Sequence, residues 1–165
     1  MTLKDFELPG DNHFIAMEYY WLLLNRTFLI VLLEDCLVAI KANGMVSIES
    51  GADAFSRQIS KSFAIHGDLH NPYSYIKDSY IKKVESDDLL GTEVLNKERA
   101  NFRIYYKDIK TAWYDQRKKW GMGYYPHDGK VYLSFDNHKK KEFIILGNQS
   151  GKEIADLISK RIAIQ

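Results

Sequence analysis

The last forty residues constrain the fold more than any other stretch of this chain. Lys-Val-Tyr-Leu-Ser-Phe at 130–135 alternates apolar and polar positions, so its side chains divide between the two faces of a strand. The polar run Asp-Asn-His-Lys-Lys-Lys at 136–141 turns the chain, and Glu-Phe-Ile-Ile-Leu at 142–146 returns it. Ser150 and Glu153 then form a capping-box pair at the head of an amphipathic segment, 151–162. Its apolar positions Ile154, Leu157, Ile158 and Ile162 share one helical face. A final hairpin followed by one closing helix predicts a binding module. The common catalytic folds carry their chemistry on strand-to-helix loops, and no motif of that kind accompanies this pattern.

Upstream, the same strand rhythm recurs. Residues 27–33 are an apolar run too short for a helix and apolar on both faces. Glu34-Asp35 supplies a polar corner before a second run at 36–42. Asn43-Gly44 is the strongest short hairpin dipeptide, because both positions tolerate the positive φ of a type I′ turn, and it predicts a return strand at 45–48. Ser50 with Asp53, followed by Phe55, Ile59 and Phe63 at four-residue spacing, predicts a helix. Asn71-Pro72 predicts the start of a second, with Tyr73, Ile76, Tyr80 and Val84 as its apolar stripe. From Asn101 the pattern is again that of strands: Phe102, Ile104 and Tyr106 alternate, and Ile109, Thr111 and Trp113 alternate in the opposite phase. The flip predicts a bulge or turn at Lys107-Asp108. Asp128-Gly129 is expected to make the next turn.

No Pro, Gly or Ser linker and no repeat divides the 165 residues, so a single domain spanning 1–165 is expected, with a helical insertion at about 50–96. The 13% aromatic content favours β structure, because flat rings pack well on a pleated surface. The lone Cys36 forbids an intrachain disulfide and suits a reducing cytoplasm. No basic start and apolar signal core is expected at the N-terminus. The apolar stretch at 14–33 is interrupted by Glu18 and Asn25-Arg26, and an Arg near mid-bilayer costs about 2.5–3.5 kcal/mol, so two strands or a helix and a strand are expected there and no membrane span.

Chemistry-bearing clusters are few. His66, Asp68 and His70 stand at alternate positions, so an extended segment would project all three to one side as candidate Zn²⁺ ligands. A polar loop between two helices requires the same residue types, and on balance no metal and no cofactor is expected. Trp-Gly-Met-Gly at 120–123 lacks the pattern of a phosphate-binding glycine loop and predicts a tight turn beside a large aromatic. No elbow motif surrounds Cys36 or any serine, so no enzyme is expected.

Charge is distributed unevenly. Residues 1–96 carry eight Lys/Arg against fourteen Asp/Glu, and residues 97–141 carry twelve against five. Two basic clusters, Arg117-Lys118-Lys119 and Lys139-Lys140-Lys141, fall on predicted loops. If both loops share one rim, they form a patch for a weak anionic partner; otherwise they keep sheet edges from aggregating.

The residues at 101–109 (Asn-Phe-Arg-Ile-Tyr-Tyr-Lys-Asp-Ile), a strand around Trp113, 129–135, 141–146 and the closing helix together resemble bacterial pleckstrin-homology-like domains. Residues 25–32 with 36–40 are similar to the opening hairpin of that family. The resemblance covers roughly 25–48 and 101–162. It implies an α+β, mainly β fold: an antiparallel pleckstrin-homology-like barrel or roll with a C-terminal capping helix and a helical insertion. It also implies a non-catalytic scaffold that binds lipid headgroups, peptides or proteins. Phosphoinositide-binding members carry a basic motif in the first hairpin loop, where this chain is expected to place Glu34-Asp35. The first expectation is therefore a protein partner. A small metal-dependent enzyme using His66, Asp68 and His70 comes second, and an anion or phospholipid binder third, with nucleic acid disfavoured.

Overall fold

The computed structural model describes residues 1–5, 12–21, 24–44, 68–122 and 125–165. Seven strands are present among them: β1 (His13–Trp21), β2 (Leu24–Leu32), β3 (Cys36–Asn43), β4 (Phe102–Tyr105), β5 (Thr111–Asp115), β6 (His127–Ser134) and β7 (Lys140–Leu146). Two short helices, α1 (Asp78–Ile81) and α2 (Glu93–Lys97), lie between β3 and β4, and α3 (Gly151–Ile164) closes the chain.

All seven strands join one antiparallel sheet in the order β4-β3-β2-β1-β7-β6-β5. The order puts β4 and β5 at opposite edges, yet only residues 106–110 connect them. A flat sheet would separate the two edges by about 29 Å, six spacings of about 4.8 Å. The connection, fully extended, reaches only about 20 Å. The sheet therefore curls into a half-barrel, and the 3-10 turn Tyr106–Asp108 forms the corner at the predicted phase flip.

Curling separates two cores. Phe14, Ala16, Phe28, Ile30, Leu37, Ala39, Val131, Leu133, Phe143 and Ile145 point inward, where Ala155 and Ile158 of α3 close them off. Ile15, Met17, Leu29, Val31, Val38, Ile40, Ile144 and Leu146 point outward. They are covered by Tyr75, Val84, Leu89 and Val94 from the segment between β3 and β4, and by Met122 from the β5–β6 loop. The run at 27–33 is apolar on both faces because each face meets a packed layer.

Several expectations change. Neither Asn43 nor Gly44 has positive φ. Asn43 is instead the last residue of β3, and its Nδ2 donates to the Tyr75 carbonyl at 3.0 Å, tying the sheet to the insertion. The return strand predicted at 45–48 and the helix predicted at 50–63 lie outside the described residues. Asn71 caps its segment as expected, its Oδ1 accepting the Tyr73 N–H at 3.1 Å, but only the 3-10 turn Pro72–Tyr75 follows. Continuing the helix would commit the Lys77 N–H to the Tyr73 carbonyl. That N–H instead donates to the Ala42 carbonyl of β3 at 2.9 Å, and the chain is extended at Ile76 and Lys77. Tyr75 is buried as a result, while Tyr73, assigned to the apolar stripe, is 42% exposed.

Asp128-Gly129 is no turn. It is a bulge inside β6, where His127 pairs with Leu146 and Lys130 with Ile144. Gly129 has φ +61°, and a Cβ there would collide with the Asp115 carbonyl. Finally, the opening hairpin is β1–β2, whose connecting residues 22–23 lie outside the described residues. Glu34-Asp35 lies in the second, β2–β3 connection.

Candidate binding site at the end of the half-barrel opposite the closing helix

The helix α3 closes the end of the curled sheet where β1 begins and β2 finishes, beside Phe14 and Leu32. At the other end the inward stripes of three strands finish in charged residues. Period-two alternation places Glu18 after Phe14 and Ala16, Arg26 ahead of Phe28, and Lys141 ahead of Phe143. Glu18 and Arg26 are direct cross-strand partners.

One carboxylate serves two cations here. Lys141 Nζ lies 2.7 Å from Glu18 Oε1, and Arg26 Nε lies 3.2 Å from Glu18 Oε2. The three side chains are 20%, 26% and 15% exposed for Lys141, Arg26 and Glu18, so the group is mostly withdrawn from water. Its floor is aromatic. The Lys141 ammonium is 4.0 Å from the Phe102 ring centroid, Phe102 stacks on Phe143 with centroids 6.3 Å apart, and the Arg26 guanidinium lies 5.4 Å from Phe28 and 4.9 Å from Tyr20. Burial pushes the Lys141 ammonium below the usual lysine range, against the opposing pull of Glu18. Among the described residues the cluster holds two cations and one carboxylate, one positive charge in excess, partly desolvated. A second anion would relieve that imbalance.

The basic clusters read from sequence separate in space. Lys141 belongs to this end and faces inward. Lys139 and Lys140 are exposed beyond the β6–β7 turn, and the Lys140 ammonium sits 5.3 Å from the Trp113 ring centroid. Arg117 is clamped by Asp115, with Nε 2.9 Å from Oδ1 and Nη2 2.8 Å from Oδ2, and this holds the Asp115 carboxyl well below the usual carboxylate range. Lys119 pairs with Glu142 at 2.6 Å, and Glu142 also accepts the Tyr132 hydroxyl at 2.6 Å. Among the described residues Lys118, Lys139 and Lys140 have no carboxylate within 4.0 Å.

The two loops do not share a rim, because they leave opposite ends of β6. The β5–β6 loop folds back along the outer face, anchored by buried Met122, so Lys119 reaches Glu142. Glu142 faces outward and Lys141 inward, on opposite sides of β7. Arg117 and Lys119 each have a carboxylate partner and Lys141 shares one with Arg26, and the two basic clusters do not join in one patch among the described residues.

The candidate metal ligands do not form a described cluster. His66 is outside the described residues. Asp68 and His70 are exposed, and Asp68 Oδ1 accepts the His70 backbone N–H at 2.9 Å, an Asx-type turn. The His70 carbonyl accepts the Asn148 N–H at 2.8 Å, which fastens this loop to the turn before α3. Among the described residues no group of three His, Cys, Asp or Glu side chains could hold a metal ion. Cys36 is buried, and burial pushes its thiol up, away from a reactive thiolate.

Glu18 and Arg26 entered the sequence reading only as interruptions of an apolar stretch. The signal that would have singled them out is their phase: each ends a period-two apolar stripe on the inward face. No family model, curated protein or solved structure matches the chain. Among the described residues no helix is long and apolar enough to cross a membrane.

Proposed function

We propose that this chain is a pleckstrin-homology-like, non-catalytic binding module. It takes an acidic segment of a partner protein at the end of its half-barrel opposite α3. The strand order, the corner at Tyr106–Asp108 and the closing helix support the pleckstrin-homology-like reading. The observation that carries the site is the pair Arg26 and Lys141 sharing the single carboxylate of Glu18 over an aromatic floor. A carboxylate or phosphate from a ligand would supply the missing counter-charge, and the rings would contact its aliphatic portion. Lys139 and Lys140 stand at the β6–β7 turn beside this end and would steer an acidic partner toward it.

The test is binding of an acidic peptide, followed by titration of salt from 0.1 M to 1 M, over which the Debye length falls from about 10 Å to 3 Å. Affinity is expected to fall steeply with salt. Lys141→Ala is expected to abolish most binding, and charge reversal at Lys139 and Lys140 to slow association more than it speeds dissociation. Binding indifferent both to salt and to Lys141→Ala would overturn the assignment. A parallel arm with anionic vesicles distinguishes a lipid phosphate from a protein acid at the same cations.

A further inference from the structure

A second surface stands apart from the charged end. Between α3 and the β1–β2 edge lies a cleft of about 400 Å³, within the usual range for sites that take a side chain or small ligand. Phe14, Leu32, Ile154 and Leu157 supply its apolar wall, and Glu153 and Asp156 its acidic rim, with Lys160 one turn further along α3. Among the described residues neither carboxylate has a cation within 4.0 Å. The same molecule carries the complement. Trp120 is 76% exposed in the β5–β6 loop, and exposed Lys118 lies two residues before it.

We infer that the chain associates head to tail with a second copy of itself, Trp120 of one molecule entering the α3 cleft of the next. An indole offers a large apolar body and one N–H that only donates, which suits an apolar wall beneath a carboxylate rim. Lys118 meets the remaining carboxylate charge. Trp120 does not fill the cleft of its own molecule: it is 76% exposed. Its loop is fastened on both sides of it, the Gly121 carbonyl accepting the Tyr19 hydroxyl at 3.2 Å and the Lys119 N–H donating to His127 Nε2 at 3.0 Å. Knob and cleft are different surfaces, so the contact is heterologous and propagates into a ring or a filament.

Light scattering after gel filtration, over a concentration series, tests this. The full chain is expected to show a mass that rises with concentration above the 19.2 kDa of one chain. Trp120→Ala and the Glu153→Lys/Asp156→Lys double variant are each expected to weaken association about 30-fold, as for a hot-spot aromatic, while circular dichroism stays native. Mixed in equal amounts, the two variants retain one intact knob and one intact cleft. They are expected to stop at a dimer. A chain that stays monomeric at every concentration overturns the inference, as does self-association unchanged by Trp120→Ala, or a mixture that remains monomeric. Loss of vesicle binding in Trp120→Ala with self-association intact would make the loop a lipid contact instead, and would equally overturn it. A second cleft variant, Leu157→Asp, guards against misfolding of the double variant and is expected to behave as it does.

Discussion

Asp128 Oδ2 accepts the backbone N–H of Gly151 at 2.7 Å, so a bulge in β6 caps the first turn of α3 from across the fold. The other carboxylate oxygen, Oδ1, accepts the Tyr114 hydroxyl of β5 at 2.7 Å. Gly151 is required by the closeness of this contact, since a Cβ would lie 2.6 Å from the Asp128 carbonyl and 2.7 Å from Tyr114 Cε2. Ser150 satisfies another orphan donor locally, its hydroxyl accepting the Glu153 N–H at 3.2 Å. Two caps, one local and one tertiary, hold the closing helix.

Asp128→Ala is expected to destabilise the protein by about 1–2 kcal/mol in chemical denaturation, the range of a lost helix cap. Because Tyr114 shares the carboxylate, Asp128→Ala and Tyr114→Phe should couple by about 0.5 kcal/mol or more in a double-mutant cycle. Strict additivity would mean that the two hydrogen bonds act independently.

Tyr114 also sets an alkaline limit. Burial first, and then the hydrogen bond to Asp128, push its phenol up to about 12, against about 10 in an unfolded chain. The folded state thus favours the protonated phenol. Its contribution is complete below about pH 10 and is lost as pH rises to about 12. Tyr75, Tyr106 and Tyr132 are shifted upward as well, so Tyr114→Phe is expected to flatten part of the alkaline decline and leave the rest. An unchanged pH profile would remove Tyr114 from this account.

His127 works in the opposite direction. Its Nε2 accepts the Lys119 backbone N–H at 3.0 Å, which requires the neutral ring, with Nδ1 donating to the Tyr125 carbonyl at 3.0 Å. Burial lowers its pKa below 6.5, assisted by Lys118 and Lys130 and opposed by the Tyr125 hydrogen bond and Asp128. The stability it contributes is present above about pH 6.5 and is lost as pH falls through the folded pKa. The protection factor of the Lys119 amide, its exchange relative to an unstructured amide at the same pH, is expected to fall on acidification, and His127→Gln should blunt that response.

Ile158→Ala is expected to cost about 2–5 kcal/mol, because the side chain is fully buried under the curled sheet. Leu157, half-buried at the rim of the cleft, is expected to cost less on the same change. Equal losses in thermal unfolding would mean that α3 sits differently on the barrel.

Glu18→Gln should cost about 1–3 kcal/mol, discounted from a fully buried pair because water still reaches the group. Lys141→Met should cost less, since it leaves Glu18 paired with Arg26 and keeps the aliphatic contact with Phe102. The order of the two losses is the measurement; the reverse order would place the excess charge on the carboxylate side.

Much of the architecture is legible in local pattern. Alternation marks 130–135 and 142–146 as strands, the Ser150–Glu153 pair marks the start of α3, and the phase change at Lys107-Asp108 marks the corner. These signals depend on neighbours a few residues apart, which periodicity and capping chemistry report directly. The candidate site is less legible. Lys141 stands in a run of three lysines that look alike in one dimension, and strand parity alone turns it inward while Lys140 turns out to Trp113. The insertion is misread for the same reason: Tyr73, Ile76, Tyr80 and Val84 fit a helix, but Ala42 captures the Lys77 N–H that the helix needed.

Side-chain order alone dictates that this chain builds strands with apolar residues on both faces and closes with an amphipathic helix. Those features follow from which side chains must leave water and at what period. Tertiary structure alone decided that Asp128-Gly129 is a bulge and that Glu18 is shared by Arg26 and Lys141. It also decided that Met122 and the 68–100 segment cover the outer face. Each depends on residues brought together from strands far apart in the chain, once a connection too short for a flat sheet obliged the sheet to curl.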